Sequence, residues 1–249
     1  MPRFFVDEAG IDISRALITL DGENASHISL SLRMRCGEEI TVCSLSDGTV
    51  YNCEISEITK NAVTAKILNT GQNNSEPDVY VRLFQALPKS DKLELVIQKC
   101  VELGVGEIVP VITDRCVSRP DAKSLVRKLE RWNRIALEAA QQSGRCKVPM
   151  VCEPIDFQSA VREMKASQIS FMCYEKHSGK DLCELLRHDG NIKDISFFVG
   201  PEGGISEADA SYAADNGITL VGLGKRILRT ETAPICVLSG IMFLTDNMK

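Results

Sequence analysis

The chain has no C-x-x-C pair and only three histidines, His27, His177 and His188, none of them spaced from a cysteine as a zinc finger requires. No metal site is therefore expected. Long apolar runs are also missing. The longest uncharged one, Thr232 to Thr245, has fourteen residues, too few to span a bilayer, and reads as a buried helix, so no membrane association is expected. Charges at Arg3, Asp7 and Glu8 come too soon for a signal peptide. Positive charge is not in excess: the formal net charge of -5 argues against binding nucleic acid through overall basicity. Neither late glycine loop carries the Lys-Ser or Lys-Thr of a phosphate-gripping nucleotide-hydrolase motif, which disfavours nucleotide hydrolysis.

What is present is ample core. With 44% hydrophobic content in 249 residues, the chain can fill one large domain or two smaller ones. Its ten cysteines are spread from Cys36 to Cys236, several at apolar positions of helix or strand patterns, and read as reduced core residues of a cytoplasmic protein. Charge is uneven along the chain. Residues 115–147 hold nine Lys or Arg against three acids, whereas residues 1–75 hold six bases and ten acids. A solvated helix face is the simpler reading of Arg127, Lys128, Arg131 and Arg134 within the basic stretch. Beside a second domain and a ligand pocket, a surface for a polyanion competes with it.

Residues 1–72 read as a small β-rich module. Ile40–Leu45 and Thr49–Ile55 flank Asp47-Gly48, a hairpin signal, and Val63–Ile67 alternates apolar with polar as a half-buried strand does. Asp21 to Met34 has the pattern of a short helix with Asp21 as its cap. The polar, turn-rich run Gly71–Pro77 marks the boundary, so the second domain covers 73–249. From Val79 onward strands and helices alternate, the pattern of an α/β sheet. Strands are expected at 79–86, 107–112, 169–174, 195–199 and 218–221. Helices are expected after a capping box at Asp91 and Glu94, at about 121–142, near 156–166, 179–188 and 206–215, and from Glu231 to Asp246.

Two loops carry the chemistry. Gly200-Pro201-Glu202-Gly203-Gly204 follows the strand ending at Val199 and precedes a helix capped by Ser206. Gly222-Leu223-Gly224-Lys225-Arg226-Ile227-Leu228-Arg229-Thr230-Glu231-Thr232-Ala233 follows the strand ending at Val221 and opens the last helix. A strand that stops at a glycine loop and restarts as a helix bares backbone N–H groups at a sheet edge, where main chain can grip a small ligand. Two such loops about twenty residues apart are expected to wall one pocket. Gly222-Leu223-Gly224 is not a dinucleotide fingerprint, since Ile227 replaces the third glycine and the loop lies at the wrong end of the chain. A neutral or cationic cofactor between apolar walls of Leu223, Ile227 and Leu228 fits better.

Together the two loops resemble those of the SPOUT superfamily of S-adenosylmethionine-dependent RNA methyltransferases, and most closely its ribosomal small-subunit (uracil-N3)-methyltransferase family. The likeness extends through Pro88-Lys89-Ser90-Asp91-Lys92, Gln98–Val105, Leu129–Trp132 and Glu138–Arg145, and into the first domain at His27 and Leu32–Arg35. Ser90 stands where that family commonly has glycine.

The resemblance implies an α/β SPOUT domain with a deep trefoil knot, preceded by a PUA-like β-barrel, in a homodimer. It implies S-adenosylmethionine held by Tyr174, Glu175, Gly200, Pro201, Glu202, Gly203, Gly204, Leu223, Gly224, Arg226, Ile227, Leu228, Thr232 and Ala233. The implied target is N3 of a decoding-centre uridine in 16S rRNA, within an assembled small ribosomal subunit. Arg229 and Glu231 are the candidate catalytic residues, with a helix-end carboxylate as the plainer reading of Glu231. Arg3, Arg33, Arg35, Arg115, Arg119 and Arg145 are the candidate RNA contacts, because a planar guanidinium donates in pairs to phosphate. Another knotted methyltransferase acting on a ribose or a different base, and a catalytically silent rRNA-binding assembly factor, stay open as alternatives.

Overall fold

The computed structural model describes residues 1–72, 75–176, 181–186 and 192–248. It divides into two compact units, Met1–Glu76 with Ala140–Val148, and Pro77–Ala139 with Pro149–Lys249. The return of 140–148 to the first unit has no counterpart in the sequence pattern. A buried anchor accounts for it. The Glu76 carboxylate accepts from the Arg145 guanidinium at 2.6 Å and from the backbone N–H of Cys146 and Lys147 at 2.8 and 3.1 Å. Burial pushes the Glu76 carboxyl up, yet Arg145 and these two amides outweigh it and leave Glu76 below the usual carboxylate range.

The first unit holds β1 (Arg3–Val6), β2 (Ile11–Asp12), β3 (Leu17–Asp21), the short helix α1 (Gly22–Ser26) running into a π-helical turn (His27–Ser31), then β4 (Glu39–Ser44), β5 (Val50–Ile58) and β6 (Ala62–Thr70). They form one six-stranded sheet, β1-β4-β5-β6-β3-β2, antiparallel except for the β1–β4 pair. Alternation sends Val63 and Ala65 of β6 inward with Phe4, Ile18, Leu20, Ile40, Val42 and Ile55, all fully buried or nearly so. The helix expected over Asp21–Met34 is shorter and changes pitch at His27. Asp21 occupies the cap position without bonding through its side chain. The hairpin turn is longer than Asp47-Gly48 alone: Ser44 pairs back to Thr49, Gly48 takes the left-handed φ of 72°, and the Asp47 carboxylate accepts from the Thr49 N–H at 2.9 Å.

The second unit runs β7 (Tyr80–Ala86), α2 (Lys92–Glu102), β8 (Glu107–Ile112), α3 (Ala122–Ser143, entering the first unit at Ala140), β9 (Met150–Val151), β10 (Ile155–Asp156), α4 (Phe157–Met164), β11 (Ile169–Cys173), α5 (Leu182–Leu186), β12 (Asp194–Val199), α6 (Glu207–Asp215), β13 (Thr219–Val221) and α7 (Thr232–Leu244). All strand pairs are parallel, in the order β10-β8-β7-β12-β11-β13 with β9 beside β8. Helix-linked parallel strands are buried on both faces, which explains the apolar Phe197, Phe198, Phe171 and Leu83 at its centre. The expected helix at 179–188 is seen as Leu182–Leu186; residues 179, 180, 187 and 188 lie outside the described residues, as does His177.

Two sequence-level expectations for α2 separate. Leu93, Val96, Ile97, Cys100 and Val101 form its buried face as the periodicity requires, and Gly104, at φ 97°, ends it. The capping box does not form. The Asp91 side chain makes no cap bond, and the Glu94 carboxylate is taken by Arg131 at 2.6 Å. Ser90, just before, has φ 55°, a left-handed conformation in which glycine is unstrained.

Candidate active site

Parallel strands deliver their C-terminal ends to one edge, and a ligand crevice is expected there. The ends of β11, β12 and β13 wall a cavity of about 540 Å³, within the range of small-molecule sites. Tyr174 and Glu175 come from the end of β11, Gly200–Ile205 from the end of β12, and Leu223–Thr230 with Ala233 from the segment after β13. Lys92, at the first turn of α2, closes the remaining side.

A small set of polar contacts fixes the two loops. The Thr230 hydroxyl donates to the Gly200 carbonyl at 2.7 Å and accepts from Gln85 Nε2 at 3.0 Å. Gln85 lies at the end of β7 and is fully buried; its other donor goes to the Ala86 carbonyl at 3.1 Å. That bond order fixes the amide orientation, because turning it over would set an oxygen against a carbonyl. The segment after edge strand β13 is thereby drawn back across the sheet to β12 and β7. Such a doubling-back agrees with the knotted class implied by the sequence resemblance.

Lys92 forms the second tie. Its Nζ lies 3.0 Å from Glu202 Oε1 and 3.2 Å from Glu231 Oε2. The hydrogen bond from Lys92 and the backbone N–H of Lys89, 3.1 Å from Glu202 Oε1, overcome partial desolvation and hold the Glu202 carboxyl below the usual range. The Lys92 ammonium is correspondingly raised by the same pair, Glu202 first. Glu231 Oε2 is buried and its contact with Lys92 is an ion pair without hydrogen-bond alignment. Arg115 makes the third tie, donating to the Gly203 carbonyl at 2.9 Å and the Ile205 carbonyl at 3.3 Å.

Backbone conformation suits close approach by a ligand. Gly204 has φ 69°, and a Cβ there would stand 2.8 Å from Glu175 Oε1; Gly224 has φ 91° with open space around it. Glu175 and Glu202 line the cavity beside the cations Lys92, Lys225, Arg226 and Arg229, and the Cys173 thiol, pushed up to about 12 by burial, is no nucleophile at neutral pH, so the walls offer main chain and charge of both signs to a polar ligand.

Residues 75–242 match the RNA methyltransferase domain family, and residues 20–68 match the RNA methyltransferase PUA domain. The chain belongs to the RNA methyltransferase family. Ribosomal RNA small subunit methyltransferase E of Bacillus subtilis is 34% identical to it, covering 100% of this chain and 99% of that protein. The crystal structure of a ribosomal RNA small subunit methyltransferase E from Neisseria gonorrhoeae bound to S-adenosyl methionine superposes with a TM-score of 0.86 at 31% identity, covering 98% of each chain. A methyltransferase of Legionella pneumophila in complex with its bound cofactor SAM superposes with a TM-score of 0.85 at 29% identity over 96% of each.

Within this family member, the expected cofactor residues converge with one exception. Tyr174, Glu175, Gly200, Pro201, Glu202, Gly203, Gly204, Leu223, Gly224, Arg226, Ile227, Leu228 and Ala233 all line the cavity; Thr232 does not, since its side chain is exposed and its N–H turns back to the Arg229 carbonyl. Arg229 lines the cavity. Glu231 stands one contact behind the wall, reached through Lys92.

Of the expected RNA contacts, Arg33 and Arg35 are exposed on the first unit, and Arg119 is exposed with its guanidinium 3.4 Å from the Thr113 carbonyl. Arg3 is half-buried, donating to the Gly144 carbonyl and to Cys146 Sγ. Arg145 is a correction: it is 4% exposed and its guanidinium is committed to Glu76, so no phosphate can reach it. Arg115 holds the glycine loop through its own guanidinium rather than standing free. Gln85, Thr230 and Lys92 carry the site's internal ties, yet the sequence reading assigned none of them a role. Only Thr230 and Lys92 lay inside motifs that pointed to the site.

Proposed function

We propose that this protein transfers the methyl group of S-adenosylmethionine to N3 of a uridine at the decoding centre of 16S rRNA, acting on the small ribosomal subunit in the cytoplasm as a homodimer. One observation supports this reading most: two glycine loops, joined through Thr230, wall a cavity of suitable size with main chain and carboxylates. These residues fit the donor. Left-handed Gly204 and Gly224 let backbone approach an adenosine closely, and Glu175, which takes no ion pair among the described residues, suits a sulfonium cation. When bound, S-adenosylmethionine supplies an electrophilic methyl group.

The chain's own part is positioning and charge. The two loops fix where a methyl donor lies, and an in-line approach by N3 then gains most of its rate from orientation. The imide proton passes to solvent water at the cavity mouth, which leaves negative charge on the uracil oxygens, and Arg229 at the cavity wall is the group to stabilise it. Glu231 acts through Lys92, holding that ammonium against Glu202, and is a positioning residue. Exposed Arg33, Arg35 and Arg119 are the phosphate contacts.

Mass-spectrometric mapping of small subunits from cells lacking the protein, before and after treatment with the purified enzyme and donor, tests the target. A single added methyl on a uracil N3 is expected. A methyl on a ribose or another base would redirect the activity to a different knotted methyltransferase, and absence of donor binding by calorimetry would leave only a silent rRNA-binding factor.

A further inference from the structure

A second cleft lies on the other side of the segment that closes the cavity. It measures about 200 Å³ and sits between residues 87–94 and helix α3. Its floor is apolar and closed, with Leu87, Leu93 and Trp132 only 3%, 2% and 4% exposed. Its rim is basic, formed by Arg127, Lys128 and Arg131. Arg131 is neutralised by Glu94 at 2.6 Å, and Asp91 is the other acid at the lip. Exposed Arg127 and half-buried Lys128 take no carboxylate and no hydrogen-bond partner among the described residues, so two cations at the cleft are left without a counter-charge.

Three features point to what fills it. The net charge of -5 denies the chain any general attraction to RNA, so phosphate affinity has to come from local clusters, and 115–147 is where basic residues concentrate. Arg127 and Arg131 continue a stripe with Lys123 and Arg134 along one face of α3, as spacings of four, four and three residues place them; Arg131 and Arg134 are paired with Glu94 and Glu138, which leaves Lys123 and Arg127 as its cations without an ion pair among the described residues. Finally, the two concavities are neighbours along one short segment: Pro88, Ser90 and Asp91 line the cleft, the adjacent Lys92 lines the active-site cavity, and the Lys89 N–H is bonded to Glu202 of the glycine loop. The left-handed Ser90, at φ 55°, makes the sharp bend that lets one short segment serve both.

We infer that this cleft binds the phosphate and sugar of a nucleotide flanking the target, with Arg127 and Lys128 gripping the strand as it leaves the active site. The inference rests on the rRNA methyltransferase reading above. It replaces the plain solvated-face reading of these two side chains.

The test uses the full chain carrying R127E and K128E together, with S-adenosylmethionine and small ribosomal subunits lacking the modification. Donor affinity by calorimetry is expected to match the wild type, while KM for the subunit rises about tenfold or more and kcat at saturating subunit changes less than about twofold. Binding of a single-stranded rRNA fragment should lose about 1.4 from its salt slope, from two lost contacts at about 0.7 each. Unaltered KM and salt slope with donor binding intact would overturn the cleft assignment while leaving the methyltransferase reading in place. A wild-type protein that methylates no rRNA would remove both. If the double variant loses donor binding, R127Q and K128Q singly are read by the same two measures, each expected to lose about half the slope change.

Discussion

At the scale of single residues, the site depends on backbone conformations that only glycine adopts without strain. Gly204 is the clearest. Its φ of 69° costs a residue with a Cβ about 1–2 kcal/mol, and a β-branched side chain adds to that. The new Cβ would also meet Glu175 Oε1 at 2.8 Å; that oxygen ends a flexible side chain and can move, but it moves within the cavity wall. Gly204→Val is therefore expected to weaken S-adenosylmethionine binding at least about tenfold, with the melting temperature lowered by only a few degrees. Calorimetry and a thermal melt separate the two effects. Wild-type affinity in that variant would show that the glycine loop does not touch the donor. The glycine pattern was legible in the sequence because the loop follows an apolar strand and precedes a capped helix, whose Ser206 hydroxyl accepts from the Asp209 N–H at 3.0 Å. Arg145 was not legible. Its neighbours are polar and basic, and nothing local in sequence shows that Glu76, so far away in the chain, takes its charge and buries it.

At the scale of elements, Thr230 joins the ends of β7 and β12 through one hydroxyl. It sits 6% exposed between Gly200 and Gln85, so Thr230→Val keeps the shape and removes the bonds, leaving the Gly200 carbonyl without this donor. Loss of such a bond costs about 1–3 kcal/mol. Part of that cost is expected to appear as a five- to tenfold weaker donor affinity, roughly 1–1.4 kcal/mol, because the loops would no longer be held in register. Thr230→Ser should restore most of it, and equal loss in both variants would mean that the methyl group, not the hydroxyl, holds the loops. Elements with strong periodicity, such as α2 and the parallel strands, were readable from the sequence, since burial on one face or both imposes the pattern. The capping box at Asp91 misled because Glu94 had a stronger partner in Arg131, on a helix some forty residues on. The change of pitch at His27 and the two-residue strands β2, β9 and β10 are too short to leave a periodic signal.

At the scale of the whole molecule, helix α7 leaves part of its apolar surface uncovered. Its composition is apolar nearly all round, and one side is buried through Ala233, Val237, Leu238, Ile241 and Met242. Cys236 and Phe243 on the other side are exposed, Phe243 by 73%, with Ile235, Ser239 and Gly240 half-covered between them. An apolar stripe of this kind on a helix that begins two residues after Thr230 suits a subunit contact that also steadies the pocket. Burying one phenylalanine contributes about 1.5–3 kcal/mol, and a two-fold interface uses it twice. Phe243→Glu is accordingly expected to shift the sedimentation mass at micromolar concentration from twice 27.4 kDa to 27.4 kDa, and to weaken donor binding along with it. A wild-type chain that sediments as a monomer would remove the dimer from the proposal. A variant that stays dimeric would move the contact to another face, and a monomer with undiminished donor affinity would show that the pocket stands complete within one subunit.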